Sequence, residues 1–533
     1  MNRKTKSLTG EILLIFVYLV IYALISGSFL TRFPFVHSDE AWLAGLTRDM
    51  QSAKSFGVTE SFFDLKPRVA HAIKLLFHAL QMGYTEIFGF NIQAVRLLSL
   101  TAALICLILL YRIGKELGGM IAGAGLMILV SLDTQFVYAS HFARQEIILC
   151  VTMLSCLLIL IKSCGCPSVR QALLLALLTG LSVGIHPNSF LLAAVCGCVL
   201  IICGIINKKQ SQHFAAPLLV YTAVTGAIAA VFVGISFLFS PAFIPDYFRY
   251  GEQEFELNSS ATGRIAEFIY YFKSIFHRES GTYYLPDERL ILILSAASVI
   301  LLILAYLFLS GSDETDAGIW SCHTLVLLAA AAGLTLGMII IGRYNQTTII
   351  FFLLLGWITI LQIILLFERA GRIMAITTAA VFLIWNSHTA IRPYIEAPAY
   401  TEYLKQLGDL VPADARVIAN LNTGFYFDQG TLLDYRNLPC LNGSDELAHY
   451  IEKNKIQYIC LTDELDYIYE NRPYYNVIYG NAAFIKDLKN YCETNGTRVG
   501  SFESPLYGTR IISLMDNPDY FTVTVYKVSQ DTP

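Results

Sequence analysis

Of the 533 residues, 55% are hydrophobic and only 15% are charged, whereas a soluble domain carries about 25% charge. A mean hydropathy of +0.55 excludes a disordered scaffold and a string of soluble domains. The net charge of -4 offers no basic field for a phosphate backbone, so no nucleic-acid partner is expected. The composition is that of a polytopic membrane protein with membrane lipids around it.

A span needs about 20 mostly apolar residues. In chain order, such runs fall near 11–30, 92–110, 120–138, 147–161, 171–186, 189–206, 215–239, 290–309, 320–341, 347–367 and 373–391, which predicts about eleven transmembrane helices. The first run continues through Phe29-Leu-Thr-Arg-Phe33, past the small residues at Ser26-Gly-Ser28, and is read as a retained span rather than a cleaved signal. With the N-terminus in the cytoplasm, the inside connections hold 11 Lys or Arg in 50 residues and the outside ones 13 in 126. That twofold density supports the orientation. An odd number of spans then puts the C-terminus outside.

Residues 392–533 differ from the rest, with 12 Lys or Arg against 19 Asp or Glu. Arg416–Asn420, Ile456–Leu461 and Phe521–Tyr526 carry the β-branched and aromatic residues of strands. Runs 400–410, 444–454 and 481–495 carry one apolar face each and read as helices. The expected organisation is a membrane unit over 1–391 and an extracytoplasmic α/β domain over 392–533. Twelve Cys give no zinc spacing. Cys164-Gly-Cys166 and Cys196-Gly-Cys198, without His or Cys partners nearby in sequence, read as small packing residues.

Chemistry is concentrated in connections on the outer side. Phe35-Val-His-Ser-Asp-Glu-Ala-Trp-Leu-Ala44 places two acids just beyond the first span. Neighbouring acids on a helix point apart, so Asp39 and Glu40 have separate roles: general-base work in one reading, a helix cap by Ser38 or Asp39 in the other. Asp64-Leu-Lys-Pro-Arg-Val-Ala-His71 offers Lys66, Arg68 and His71 to an anion or to interfacial snorkelling. Between two spans, Asp133–Glu146 carries His141, Arg144 and Glu146, charges that are costly near lipid unless paired or functional. His186, in Gly184-Ile-His-Pro-Asn188, and Arg343-Tyr344 stand at further outer span ends. Their shared side of the membrane suits a ligand with sugar and phosphate character.

Three stretches carry a resemblance: Asp39-Glu40, then Phe88-Gly-Phe-Asn-Ile-Gln-Ala-Val-Arg96-Leu-Leu-Ser99, then Ala143-Arg-Gln-Glu146. In order and spacing over 1–390 the chain resembles the GT-C-fold glycosyltransferases of the family-39 kind, which include protein O-mannosyltransferases and lipid A aminoarabinose transferases. The resemblance implies transfer of a sugar from a polyprenyl-phosphate carrier to an extracytoplasmic glycan, lipid or protein acceptor, with inversion. Asp39 would be the base and Glu146 would orient the acceptor or an Arg, with Glu40 the other acid of the site. Lys66, His71, His141, Arg144, His186, Arg343 and Tyr344 would serve binding. A divalent metal is compatible, with His141 or His186 and a carboxylate as ligands, and no other cofactor is implied. His186 stands where relatives often have Lys. No lectin-like insertion is evident, which favours a glycolipid or cell-wall acceptor over a protein. The rival reading is a transporter or flippase of a lipid-linked sugar, although paired repeats with broken helices are not evident.

Overall fold

The computed structural model describes residues 3–65, 70–206, 214–247, 261–277, 288–309, 315–342, 348–466, 483–504 and 521–528. Helix α1 (Arg3–Phe29) stands nearly bare, with Ile12, Leu14 and Leu24 59–71% exposed, as a helix at a lipid boundary does. After it come α2 (Ser38–Ala53), α3 (Leu75–Phe88), α4 (Ile92–Leu132), α5 (Thr134–His141) and α6 (Glu146–Lys162). Then follow α7 (Val169–Ser182), α8 (Phe190–Ile206) and α9 (Ala215–Phe239), and the helices Ala261–His277, Glu288–Leu309, Thr315–Ile341, Ile349–Ile364 and Arg369–Glu396.

Among the described residues, seven helices are long and apolar enough to cross a membrane alone, or eight if the bent pair α5 and α6 is one span. The expected eleven runs are all helical, but they do not give eleven independent long spans. Two of them are the arms of α4, which breaks at Gly118 and Gly119. Gly119 has φ +81, where a side chain is strained, and a Cβ at Gly123 would lie 2.6 Å from the Tyr111 carbonyl of the first arm. Glycines at the break and at the contact let α4 fold back as a hairpin. Two more, α7 and Ile349–Ile364, are apolar but shorter.

The sheet domain has five strands in the order β2-β1-β3-β5-β4. β1 (Val417–Ala419) pairs in parallel with β2 (Leu432–Asp434) and β3 (Tyr458–Thr462). β5 (Phe521–Val528) pairs antiparallel with β3 and with β4 (Gly496–Ser504). Strand alternation sorts the side chains into two cores. Ile418, Ile459 and Leu461 face the helices Ser444–Lys453 and Ala483–Asn495. Val417, Ala419 and Cys460 face Tyr400 and Tyr403 of the helix Tyr400–Gly408, and also Phe33, Phe35 and Ala41.

That second core joins the sheet domain to the membrane unit. Tyr400 N donates to Thr31 O at 3.0 Å, and Asp434 N and Asn437 Nδ2 donate to Phe62 O at 3.1 and 2.9 Å. From α2, Arg48 Nη1 donates to Phe427 O at 3.0 Å, and Asp49 accepts from Gln429 at 2.8 Å. The domain therefore clamps the helix that carries Asp39.

Cys164 lies near Cys322, and Cys166 Sγ lies 3.9 Å from the carbonyl of Cys203. These cysteines come from three helices or their ends and pack beside one another without forming a metal-ligand group among the described residues.

Candidate functional site

Asp39 sits in the first turn of α2, where free backbone N–H groups and the helix dipole favour a carboxylate. Neither Ser38 nor Asp39 caps this helix. His37 does: its Nδ1 accepts from Asp39 N at 3.1 Å, and Glu40 Oε2 accepts from His37 N at 3.1 Å. The capping box leaves the Asp39 carboxylate for other partners, and it pairs with Arg144 Nη1.

Arg144 lies in the four-residue break between α5 and α6, where the chain turns by 118°. Irregular backbone at a membrane boundary is tolerated where it is packed in protein or lines a cavity. Ser99 Oγ fixes the break by donating to Phe142 O at 2.8 Å. Asp133 anchors the start of α5, accepting from Gln135 N and Phe136 N at 2.9 and 3.1 Å and from Trp357 Nε1 at 3.0 Å. Arg144 then reaches Glu146 with Nε at 3.2 Å and Nη2 at 3.1 Å. One guanidinium thus bridges two carboxylates that begin two different helices. Asp39 and Arg144 keep 19% and 13% of their side-chain surface, enough to meet a ligand.

Glu40 has another place. It is fully buried, and both its oxygens are gripped by Arg96, through Nε at 2.8 Å and Nη2 at 2.7 Å. Ala143 N adds a bond of 3.0 Å, and Arg96 Nη1 donates to Leu30 O at 2.8 Å. This ion pair ties the end of α1, α2, α4 and the Arg144 break into one unit. It gives Glu40 no surface on which to meet a substrate.

The remaining predicted residues divide. His71 Nε2 meets Glu60 Oε1 at 3.1 Å, and Trp42 Nε1 donates to the same oxygen at 2.8 Å. His71 therefore joins α2 one turn beyond Asp39. His141 faces away from Arg144, with Nε2 bonded to Ser26 O at 3.0 Å and Nδ1 to Val137 O at 2.8 Å. His186 caps the short turn Pro187–Ser189, accepting from Asn188 N at 3.0 Å. Lys66, Arg343 and Tyr344 lie outside the described residues.

A narrow cleft opens beside the bridge, lined by Gln135, Tyr138, Phe142, Arg144, Glu146 and, from the helix Ile349–Ile364, Ile350. Its walls are mainly apolar. Gln135 Oε1 is buried there without a hydrogen-bond partner among the described residues, an acceptor that folding leaves for something else. Sequence reading missed Gln135, Glu60 and the pairing of Arg96. A buried amide has no sequence signature, and an ion pair 56 positions apart is set only by the fold.

Among the described residues no three His, Cys, Asp or Glu side chains converge as metal ligands. Both ring nitrogens of His141 are engaged, and Asp39 and Glu146 share Arg144. This arrangement does not fit a metal centre.

Residues 71–237 match the family model described as dolichyl-phosphate-mannose-protein mannosyltransferase. Over these residues the resemblance to family-39 membrane glycosyltransferases is borne out. The matched stretch includes Arg96, Arg144 and Glu146. No curated protein matches the chain. Among solved structures, ArnT from Cupriavidus metallidurans bound to undecaprenyl phosphate aligns with a TM-score of 0.49 and 14% identity, covering 98% of this chain and 99% of that one. The Archaeoglobus fulgidus oligosaccharyltransferase in complex with Zn and sulfate aligns with a TM-score of 0.49 and 12% identity, over 90% of this chain and 71% of that one.

Proposed function

We propose that the protein transfers a sugar from a polyprenyl-phosphate carrier to an acceptor hydroxyl outside the cytoplasm, with Asp39 as the general base. The observation that carries this reading is the Asp39–Arg144–Glu146 bridge at a broken membrane helix, beside a cleft with apolar walls. The family model over 71–237 supports a lipid-phosphate donor.

In this reaction the acceptor oxygen attacks the anomeric carbon from the face opposite the phosphate. Asp39 takes the hydroxyl proton as the new C–O bond forms. The bond from the anomeric carbon to the phosphate oxygen breaks, its electron pair leaves with that oxygen, and polyprenyl phosphate departs as a dianion. Negative charge grows on the leaving phosphate, where a fixed guanidinium stabilises it more than it stabilises the starting diester. Arg144 is the described cation for that task, with Glu146 orienting it through a two-point grip. Gln135 Oε1 accepts a sugar hydroxyl. Lys66, Arg343 and Tyr344 belong to the donor side in this proposal. Glu40 holds Asp39 in place through Arg96.

The proposal also places the N-terminus in the cytoplasm and the sheet domain outside, with residues 1–391 as the transferase unit and 392–533 as the external domain. The acceptor is a glycan, lipid or protein of the cell envelope.

The test gives the purified full-length protein, reconstituted in liposomes, a panel of synthetic polyprenyl-phosphate sugars and envelope extract as acceptor. Release of free polyprenyl phosphate together with a glycoside of inverted anomeric configuration is the expected result. A donor that crosses the bilayer intact, with no carrier released, would establish the transporter reading instead.

A further inference from the structure

The helix Arg369–Glu396 runs toward the sheet domain, so its first turn lies about 40 Å away, on the opposite face of the membrane unit. A second cleft opens there. One wall is the tip of the α4 hairpin, at Gly118, Met120, Ile121 and Ala122. The second is the end of the helix Ile349–Ile364, with Leu361 and Leu365. Arg369 and Arg372 form the third. It is the break at Gly118–Gly119 that admits Leu365, since a Cβ on Gly118 would lie 2.2 Å from Leu365 Cδ2.

Arg369 is exposed and makes no hydrogen bond or ion pair among the described residues. Arg372 is tethered by Nε to Phe367 O at 2.7 Å, which leaves its two Nη groups for another acceptor. Around the mouth, Met120, Leu366, Phe367, Ile373 and Met374 are 46–69% exposed, an apolar surface on which acyl chains can lie. The one acid of this turn, Glu368, stands at the helix start and is not among the residues lining the cleft.

We propose that this cleft seats the phosphate of an anionic phospholipid. The two guanidinium groups and the free N–H groups of the helix start bind the headgroup, while the acyl chains lie along the exposed apolar side chains. Basic pockets between membrane helices select anionic lipids by this combination of charge and depth, and paired guanidinium forks suit phosphate oxygens. The site is separate from the Arg144 cleft and requires no sugar chemistry.

The experiment titrates delipidated full-length protein with phosphatidylglycerol or phosphatidylcholine and counts bound lipid by native mass spectrometry. The wild type is expected to prefer phosphatidylglycerol, and Arg369→Ala with Arg372→Ala to lower that preference by roughly an order of magnitude. The double Lys variant should keep most of it. Ile121→Trp, which fills the cleft and leaves both arginines, should also lower it and decides the matter if the Ala variant does not fold. Equal binding of the two lipids by wild type, or an unchanged preference in both the Ala and the Trp variants, overturns the proposal. Binding of inorganic phosphate that is lost in the Ala variant, by a wild type that shows no preference between the two lipids, would make free phosphate the occupant and overturn the lipid.

Discussion

Arg96 holds Glu40 through Nε and Nη2, at 2.8 and 2.7 Å, with both side chains fully buried. The residue next to Glu40 is Asp39, so this one ion pair fixes where the proposed base can stand. Removing one partner of a buried pair leaves an uncompensated charge and costs about 3–5 kcal/mol. Arg96→Ala is therefore expected to lower the unfolding midpoint in detergent sharply. Glu40→Gln should do so less, because the amide still accepts from Ala143 N. An Arg96→Ala protein as stable as wild type would show that the pair does not organise α2.

Arg144 makes three contacts that an ammonium cannot reproduce together: two to Glu146 and one to Asp39. Arg144→Lys keeps the charge but loses the fork. The expected outcome is a fall in kcat of at least about tenfold with a smaller change in donor KM, since the guanidinium acts mainly on charge that develops during the reaction. A change confined to KM would make Arg144 a ground-state binding residue.

The clamp between domains can be tested at Tyr450, which donates to Asp64 at 2.6 Å from the helix Ser444–Lys453. Burial, then the bond to Asp64, raises the Tyr450 hydroxyl above its ordinary value of 10.0. The folded protein keeps this proton where the unfolded chain would lose it. The contribution is thus complete below about pH 10 and is lost as pH rises through the higher folded value. Tyr450→Phe is expected to cost about 1 kcal/mol, the acceptor being exposed, and to remove that part of the alkaline loss. Unfolding midpoints of the two proteins between pH 7 and 11 measure it.

Cysteines report the orientation. Cys440 is exposed on the sheet domain, whereas Cys164 and Cys322 meet at the far end of the membrane unit. In intact cells a membrane-impermeant maleimide should label Cys440 and spare Cys164 and Cys322. After permeabilisation, mild oxidation should link Cys164 to Cys322 in a disulfide seen by peptide mass spectrometry. Labelling of Cys164 in intact cells would reverse the topology.

Much of this architecture was legible in the sequence because lipid enforces a simple rule. Each apolar run near 20 residues had to become a helix, and each one did, including the arms of α4. The strands at 417–419, 458–462 and 521–528 were legible from β-branched alternation. β4 was not: Gly496, Thr497, Arg498, Gly500 and Ser501 carry no apolar stripe, and pairing with β5 alone makes them a strand. At the site, Asp39, Arg144 and Glu146 were readable because charge beside lipid needs a reason. What they touch was not readable, since Asp39 and Arg144 are 105 positions apart and only the bend between α5 and α6 brings them together. His141 shows the opposite failure. It shares a segment with Arg144, but helical geometry turns its ring toward Ser26 O.

The central claim is that Asp39 removes the acceptor proton, and the initial rate of polyprenyl phosphate release by Asp39→Asn tests it most directly. The amide preserves shape and a hydrogen bond to Arg144 is replaced by a weaker contact, so the variant should still insert and bind carrier lipid. Loss of a general base costs a factor of about 10² to 10⁴, and a rate in that range below wild type is the predicted result. A variant that keeps more than about a tenth of the wild-type rate while bound to the same donor would contradict the account, and the base would have to be sought at Glu146.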